Sequence, residues 1–175
     1  MNTHLVLTVI GDDRPGLVGE LARIISAHRG NWLRSSMAQL AGKFAGIVEV
    51  AAAAAEVVAL RAALGTLCGR KVTAEAAGEQ KSAMTGRRLK LSLVGHDRIG
   101  IVSEVSQVLA RHAVNVENLA THTATAPMSA EVLFHAEAEL TADKSLDAGV
   151  LIAELERISN ELMVDIALDE SIRAS

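Results

Sequence analysis

Two short stretches of this sequence carry residue types that could hold a small anion. They read Gly-Asp-Asp-Arg-Pro-Gly at residues 11–16 and Gly-His-Asp-Arg-Ile-Gly at 95–100. Each stands between an apolar run and a segment of helical periodicity, as a strand-to-helix turn would. A helix N-terminus offers backbone N–H groups without internal partners, and its dipole favours negative charge, so a carboxylate would be held there. Asp13 and Asp97 are placed to cap the helix, accepting from an N–H about three residues on. Pro15 suits a first helical turn, where its missing N–H costs nothing. Gly16 and Gly100 remove a side chain where a ligand could approach the backbone, so Gly16→Val and Gly100→Val are expected to abolish binding and spare the fold. One such turn reads equally well as a capped helix start with no ligand. Two turns that keep Gly, Asp, Arg and Gly favour a shared role.

Other chemistries find less support. The histidines are His4, His28, His96, His112, His122 and His135. His122 and His135 fall on strands expected to pair, so they should lie near each other, but no third ligand accompanies them and no metal site is expected. The chain has no Gly-x-Ser-x-Gly, no phosphate loop and no dinucleotide glycine spacing. No acid–base constellation emerges, so neither catalysis nor a cofactor is expected. Cys68 is the single cysteine. It allows no internal disulfide, makes a reducing compartment the default, and reads as an inert thiol buried in a second helix.

These turns belong to a repeat. Shifted by 84 residues, Leu5–Asn31 aligns without gaps on Leu89–Asn115, with ten of 27 positions identical. Gly11/Gly95, Asp13/Asp97, Arg14/Arg98, Gly16/Gly100, His28/His112 and Asn31/Asn115 are among the matches. The length of 175 residues then suits two tandem domains of about 80 residues, each small and individually marginal. Packing the copies together, or dimerising, would bury more surface.

Each copy shows the same order of elements. A first strand (5–10; 89–94) is mostly apolar, as a strand buried on both faces would be, and should end at Gly11 or Gly95. A helix follows, with Leu17, Val18, Leu21, Ile24 and Ile25 forming one stripe, as do Ile101, Val102, Val105, Val108 and Leu109. His28 and His112 sit at its C-terminal end. Strands are expected near 32–41 and 43–52, turning at Gly42, and near 114–125 and 129–139, turning at Pro127. A second helix (55–68; 148–162) and a short strand (71–76; 163–168) close each copy. The fold class is α+β, two ferredoxin-like βαββαβ domains with antiparallel sheets and helices on one face. The boundaries are 1–78, a linker at 79–87, 88–170 and a tail at 171–175.

Composition excludes several classes. Half the residues are hydrophobic and 22% are charged, which is a globular profile, and the net charge is −4. Aromatic residues make up 2%, too few for a base-stacking RNA module. Charge is uneven: residues 1–79 carry +1, 80–90 carry +4 and 91–175 carry −9. Direct nucleic-acid binding is not expected from that balance. The N-terminal segment has no basic leader, and no apolar run suits a bilayer span, so a cytoplasmic protein without membrane contact is expected.

The element order, the Asp-Arg-Pro-Gly loop and the Asn ahead of the second strand (Asn31, Asn115) resemble the ACT domain, a family of small amino-acid-binding regulatory modules. Two such domains and nothing else resemble the glycine cleavage system transcriptional repressor family of bacteria. That resemblance implies a non-catalytic, homodimeric sensor of a small amino acid, glycine foremost, acting through a separate DNA-binding transcriptional activator. It also implies that Asp13, Arg14, Pro15, Gly16, Asn31 and Trp32 line one ligand site, and Asp97, Arg98, Gly100, Asn115 and Val116 the other. The second copy departs at Ile99 and His96. The first departs at Trp32, where a small aliphatic residue is usual and an indole would narrow or fill the pocket. The alternative is a protein–protein interaction module without a ligand, its acidic second half facing a basic partner.

Overall fold

The first strand alternates. In β1 (Asn2–Asp12), Leu5, Leu7 and Val9 are buried, while Thr8 and Ile10, which alternate with them, are exposed. In the computed structural model, which describes residues 2–67, 69–77, 86–126, 131–162 and 164–170, helices cover only one side of each sheet. The expectation of a first strand buried on both faces therefore fails, because nothing packs on its second face among the described residues of its own domain.

The first domain continues with α1 (Leu17–Ala27), β2 (Asn31–Leu40), β3 (Lys43–Ala53), α2 (Val57–Gly65) and β4 (Arg70–Ala76). The second repeats the order with β5 (Arg87–His96), α3 (Ile101–Arg111), β6 (Asn115–Thr125), β7 (Val132–Ala142), α4 (Ala148–Leu162) and β8 (Val164–Glu170). The sheets run β2-β3-β1-β4 and β6-β7-β5-β8, antiparallel throughout. The architecture is thus α+β, two ferredoxin-like βαββαβ domains. The chain divides into two compact units, Met1–Gln80 and Lys81–Ser175.

Each domain has its own core, made where a helix stripe meets the alternate positions of a strand. Leu21 and Ile25 of α1 and Leu60 and Leu64 of α2 close on Leu5, Leu7, Val48 and Val50. Val105, Val108 and Leu109 of α3 and Leu151, Leu155 and Ile158 of α4 close on Leu89, Leu91, Leu93 and Leu140. Each such side chain contributes about 1.5–3 kcal/mol of burial. Val18 and Val102 leave their stripes and are exposed.

Several boundaries differ from the sequence reading. β1 and β5 run through Gly11 and Gly95 to Asp12 and His96, because the neighbouring inner strands keep pairing there: Gly11 faces Phe44, and Gly95 faces Phe134. The second helix of the first domain ends at Gly65 rather than 68. β7 starts at Val132 and continues to Ala142. Cys68, the turn at Pro127, residues 79–85 of the linker and the tail at 171–175 lie outside the described residues. Among the described residues no helix is long and apolar enough to cross a membrane.

Candidate functional site

Both strand-to-helix loops are built to one plan. The chain leaves β1 at Asp12, Asp13 N–H donates to the Gly42 carbonyl at 2.9 Å, and the helix begins after Gly16. In the second copy Asp97 N–H donates to the Val132 carbonyl at 3.1 Å, and the helix begins after Gly100. Gly16 (φ 90°) and Gly100 (φ 101°) are the N-cap residues and stand in the left-handed region. No side chain caps either helix. Asp13 and Asp97 therefore do not cap, and Pro15 precedes the helix instead of opening it. A left-handed glycine reverses the chain at that point, which displaces the helix start beyond the aspartate's reach.

The loop arginines are held alike. Arg14 Nη2 lies 2.9 Å from Glu20 Oε1, and Arg98 Nη2 lies 3.1 Å from Glu104 Oε1. Each pair ties the loop to the first helical turn. At the strand end, Lys43 donates to Asp12, and this hydrogen bond with its charge holds the Asp12 carboxyl below the usual carboxylate range. The second copy places His96 Nδ1 3.9 Å from Glu131 instead. Asp13, Arg14, Pro15 and Gly16 are exposed, as are Asp97, Arg98 and Ile99, the last fully so. Gly16 has open space where a Cβ would stand, so its requirement is conformational.

The loop and the asparagine of each domain are not brought together. Asn31 opens β2 opposite Ala51, which in turn faces His4 near the start of β1. The loop leaves the other end of β1, after Asp12. That run of strand spans roughly 26 Å at the usual rise per residue. Asn115 and the 97–100 loop are separated likewise, since Asn115 faces Thr141, and Thr141 faces Arg88 at the start of β5. Trp32 is opposite Val50 and packs partly buried against the core, while Val116 is opposite Leu140 and half-exposed. Directly after each, Leu33 and Glu117 bulge out of the ladder.

The helix-free face of each sheet was expected from the sequence; what lines it was not. On the first domain, Thr8, Ile10, Ser36, Ala38, Ala45 and Ile47 line a shallow depression. Ala38, Ala45 and Ile10 share one row of the register. The matching row of the second domain holds His122, His135 and Val94. The two imidazoles stack there, centroids 4.7 Å apart and planes 4° from parallel. The expected nearness of His122 and His135 is thus realised. The signal for the depression was the pair of small residues at 38 and 45.

Residues 3–70 match the ACT domain family. An unknown protein from Galdieria sulphuraria has 30% sequence identity and a TM-score of 0.85, over 98% of this chain and 100% of that one. A protein named a "putative glycine cleavage system transcriptional repressor" has 18% identity and a TM-score of 0.73, over 99% of both chains. The second likeness concerns the fold alone. Among proteins of curated function, none matches this sequence.

Proposed function

From the ACT-domain match over residues 3–70 and the same strand order repeated in the second half, we propose that the chain is a tandem ACT-domain protein, a non-catalytic regulator that senses a small amino acid. The observation that carries the reading is the loop built twice over: a left-handed glycine ahead of each helix, with an arginine tied to the first-turn glutamate. The ligand's carboxylate meets the helix N-terminus beyond residues 13–16 or 97–100, and its ammonium is held near Asn31 or Asn115. A loop and an asparagine at opposite ends of one sheet do not serve one ligand within a single domain. The reading includes a homodimer with the ligand at its interface, in the cytoplasm.

Ligand binding acts by linkage: it favours whichever arrangement of the protein binds more tightly, by its differential affinity and no more. Likeness in fold to the repressor-named protein supports control of the glycine cleavage system as the output, through a DNA-binding activator. Glycine is then the first ligand to try.

The test is a thermal-shift panel of the twenty amino acids, with calorimetry on any hit. A ligand of the native state raises the melting temperature by mass action. A rise with glycine or serine alone, accompanied by a one-to-one or two-to-one stoichiometry per chain, is the expected result. No shift with any amino acid at about millimolar concentration refutes ligand sensing by the isolated chain. The acidic second half, at −9 over residues 91–175, then supports the protein-interaction reading, tested by pull-down at low and high salt.

A further inference from the structure

The stacked pair on the second domain has no counterpart in the first. His122 on β6 and His135 on β7 face each other directly across the ladder, on the sheet face away from the helices. The first domain builds the same fold with Ala38 and Ala45 in that row. The fold therefore does not require imidazoles there. Neither ring has a hydrogen-bond or ion-pair partner among the described residues, so both bring free nitrogens to the same spot.

We propose that His122 and His135 together bind a late first-row divalent cation: Cu2+, Ni2+ or Zn2+. Imidazole nitrogen suits these ions, with bonds of about 2.0–2.1 Å. Two such bonds at square or tetrahedral angles put the nitrogens about 2.8–3.4 Å apart. Parallel rings 4.7 Å between centroids reach that spacing by turning their coordinating edges toward each other. Both residues sit on paired strands, so the backbone already fixes their separation and only side-chain torsions change. His122 is exposed and His135 half-buried, which leaves a path to the ion from solvent.

The surroundings favour a cation. Glu137 lies two residues beyond His135 on the same face, and Asp165 lies in the row of the pair, across Val94. Lys90 is the nearby positive charge, 3.5 Å from Glu137. No cluster of three or more histidine, cysteine, aspartate or glutamate side chains exists among the described residues. The protein thus supplies two ligands, and water or a small chelating ligand takes the remaining positions. Such a site exchanges its ion readily and follows the general affinity order, with Cu2+ tightest.

The experiment titrates the full-length chain with CuCl2, NiCl2 and ZnCl2 in turn, by calorimetry in a non-chelating buffer. Electron paramagnetic resonance of the equimolar Cu2+ complex needs no variant and should show coupling to two nitrogens. His122→Ala and His135→Ala should each weaken binding at least about tenfold and reduce the coupling to one nitrogen. His4→Ala, on the first domain, should leave both readouts unchanged. A wild-type signal without two-nitrogen coupling overturns the proposal, as does either single variant that binds Cu2+ as tightly as the wild type. Amino-acid binding is read separately, so failure here leaves the sensor reading standing and the converse also holds.

Discussion

His112 Nε2 lies 2.7 Å from Glu154 Oε2. The histidine is the C-cap of α3 and the glutamate projects from α4, so this bond joins the two helices at the level where the first one ends. Arg111 reaches the same carboxylate. The first domain repeats the arrangement more loosely, with His28 Nδ1 3.9 Å from Glu56 at the N-cap of α2.

That contact predicts an acid-sensitive increment of stability. The hydrogen bonds from His112 and then Arg111 hold the Glu154 carboxyl below its ordinary value of 4.5. A lowered folded-state value means the contribution is complete above that pH and is lost as pH falls through the folded value. Glu154→Gln should therefore lower the melting temperature near neutrality, and the gap from wild type should narrow as pH falls below the ordinary carboxylate range. A gap that stays constant from neutral to acid pH would contradict the assignment.

The left-handed glycines predict a change of plan for mutagenesis. Any L-residue at φ 90° or 101° is strained, so Gly16→Ala and Gly100→Ala should each cost about 1–2 kcal/mol in denaturant melts. Valine is β-branched and should cost more. The expectation that valine would block a ligand and spare the fold is thus corrected, and exposed Asp13→Ala and Asp97→Ala are the better probes of binding. Alanine variants as stable as wild type would refute the strain.

The helix ends predict the opposite sign. After its C-cap, α1 closes with Gly30 N–H donating to Ile25 O at 2.8 Å, and α3 with Val114 N–H donating to Leu109 O at 2.9 Å. Arg29 (φ 52°) and Ala113 (φ 53°) fill the left-handed position that glycine usually takes in such a closure. Ala113→Gly should raise stability by about 0.5–1 kcal/mol, although glycine in a helix or strand usually lowers it. A loss of stability in urea melts would count against this geometry.

One glycine is fixed by space. A Cβ on Gly95 would stand 2.2 Å from Val164 Cγ1 and 2.8 Å from the Val164 Cα. Gly95→Ala must push β8 off β5, at a cost of about 1–3 kcal/mol. Val164→Ala removes the Cγ1 but not the Cβ and Cα in the way, so the double variant should lose less than the two single losses combined, and losses that simply add would place the clash on the Val164 Cβ and backbone alone.

The repeat and the helix stripes were legible because burial imposes period. Leu17, Leu21 and Ile25 are buried as their spacing requires. Val18 matched the same stripe and is retained as Val102, yet both are exposed, since each lies about 100° round the helix from its buried neighbour, Leu17 or Ile101. The helix start was misplaced because Asp13 and Pro15 have the chemistry of a cap, whereas Gly16 determines the geometry. The candidate site was legible as a set of residues and not as a place. Residues 13 and 31 are close in sequence, but α1 carries the chain back along the sheet, so they finish at opposite ends. The nearness of His122 and His135 was legible from their paired strands, whereas their stacking needed the register that sets one directly across from the other.

The position of β1 also governs when each domain can exist. It lies between β3 and β4, with Leu5 opposite Ala76, and β5 lies between β7 and β8, with Leu89 opposite Glu170. The strand made first on the ribosome fills the middle of its sheet and waits for the strand made last. Folding must therefore close a loop almost as long as the domain, which makes it slow for the domain's size. The first domain can settle only as the second is being translated. During that interval its apolar strand faces have no cover of their own, and this is when the nascent chain depends most on its surroundings.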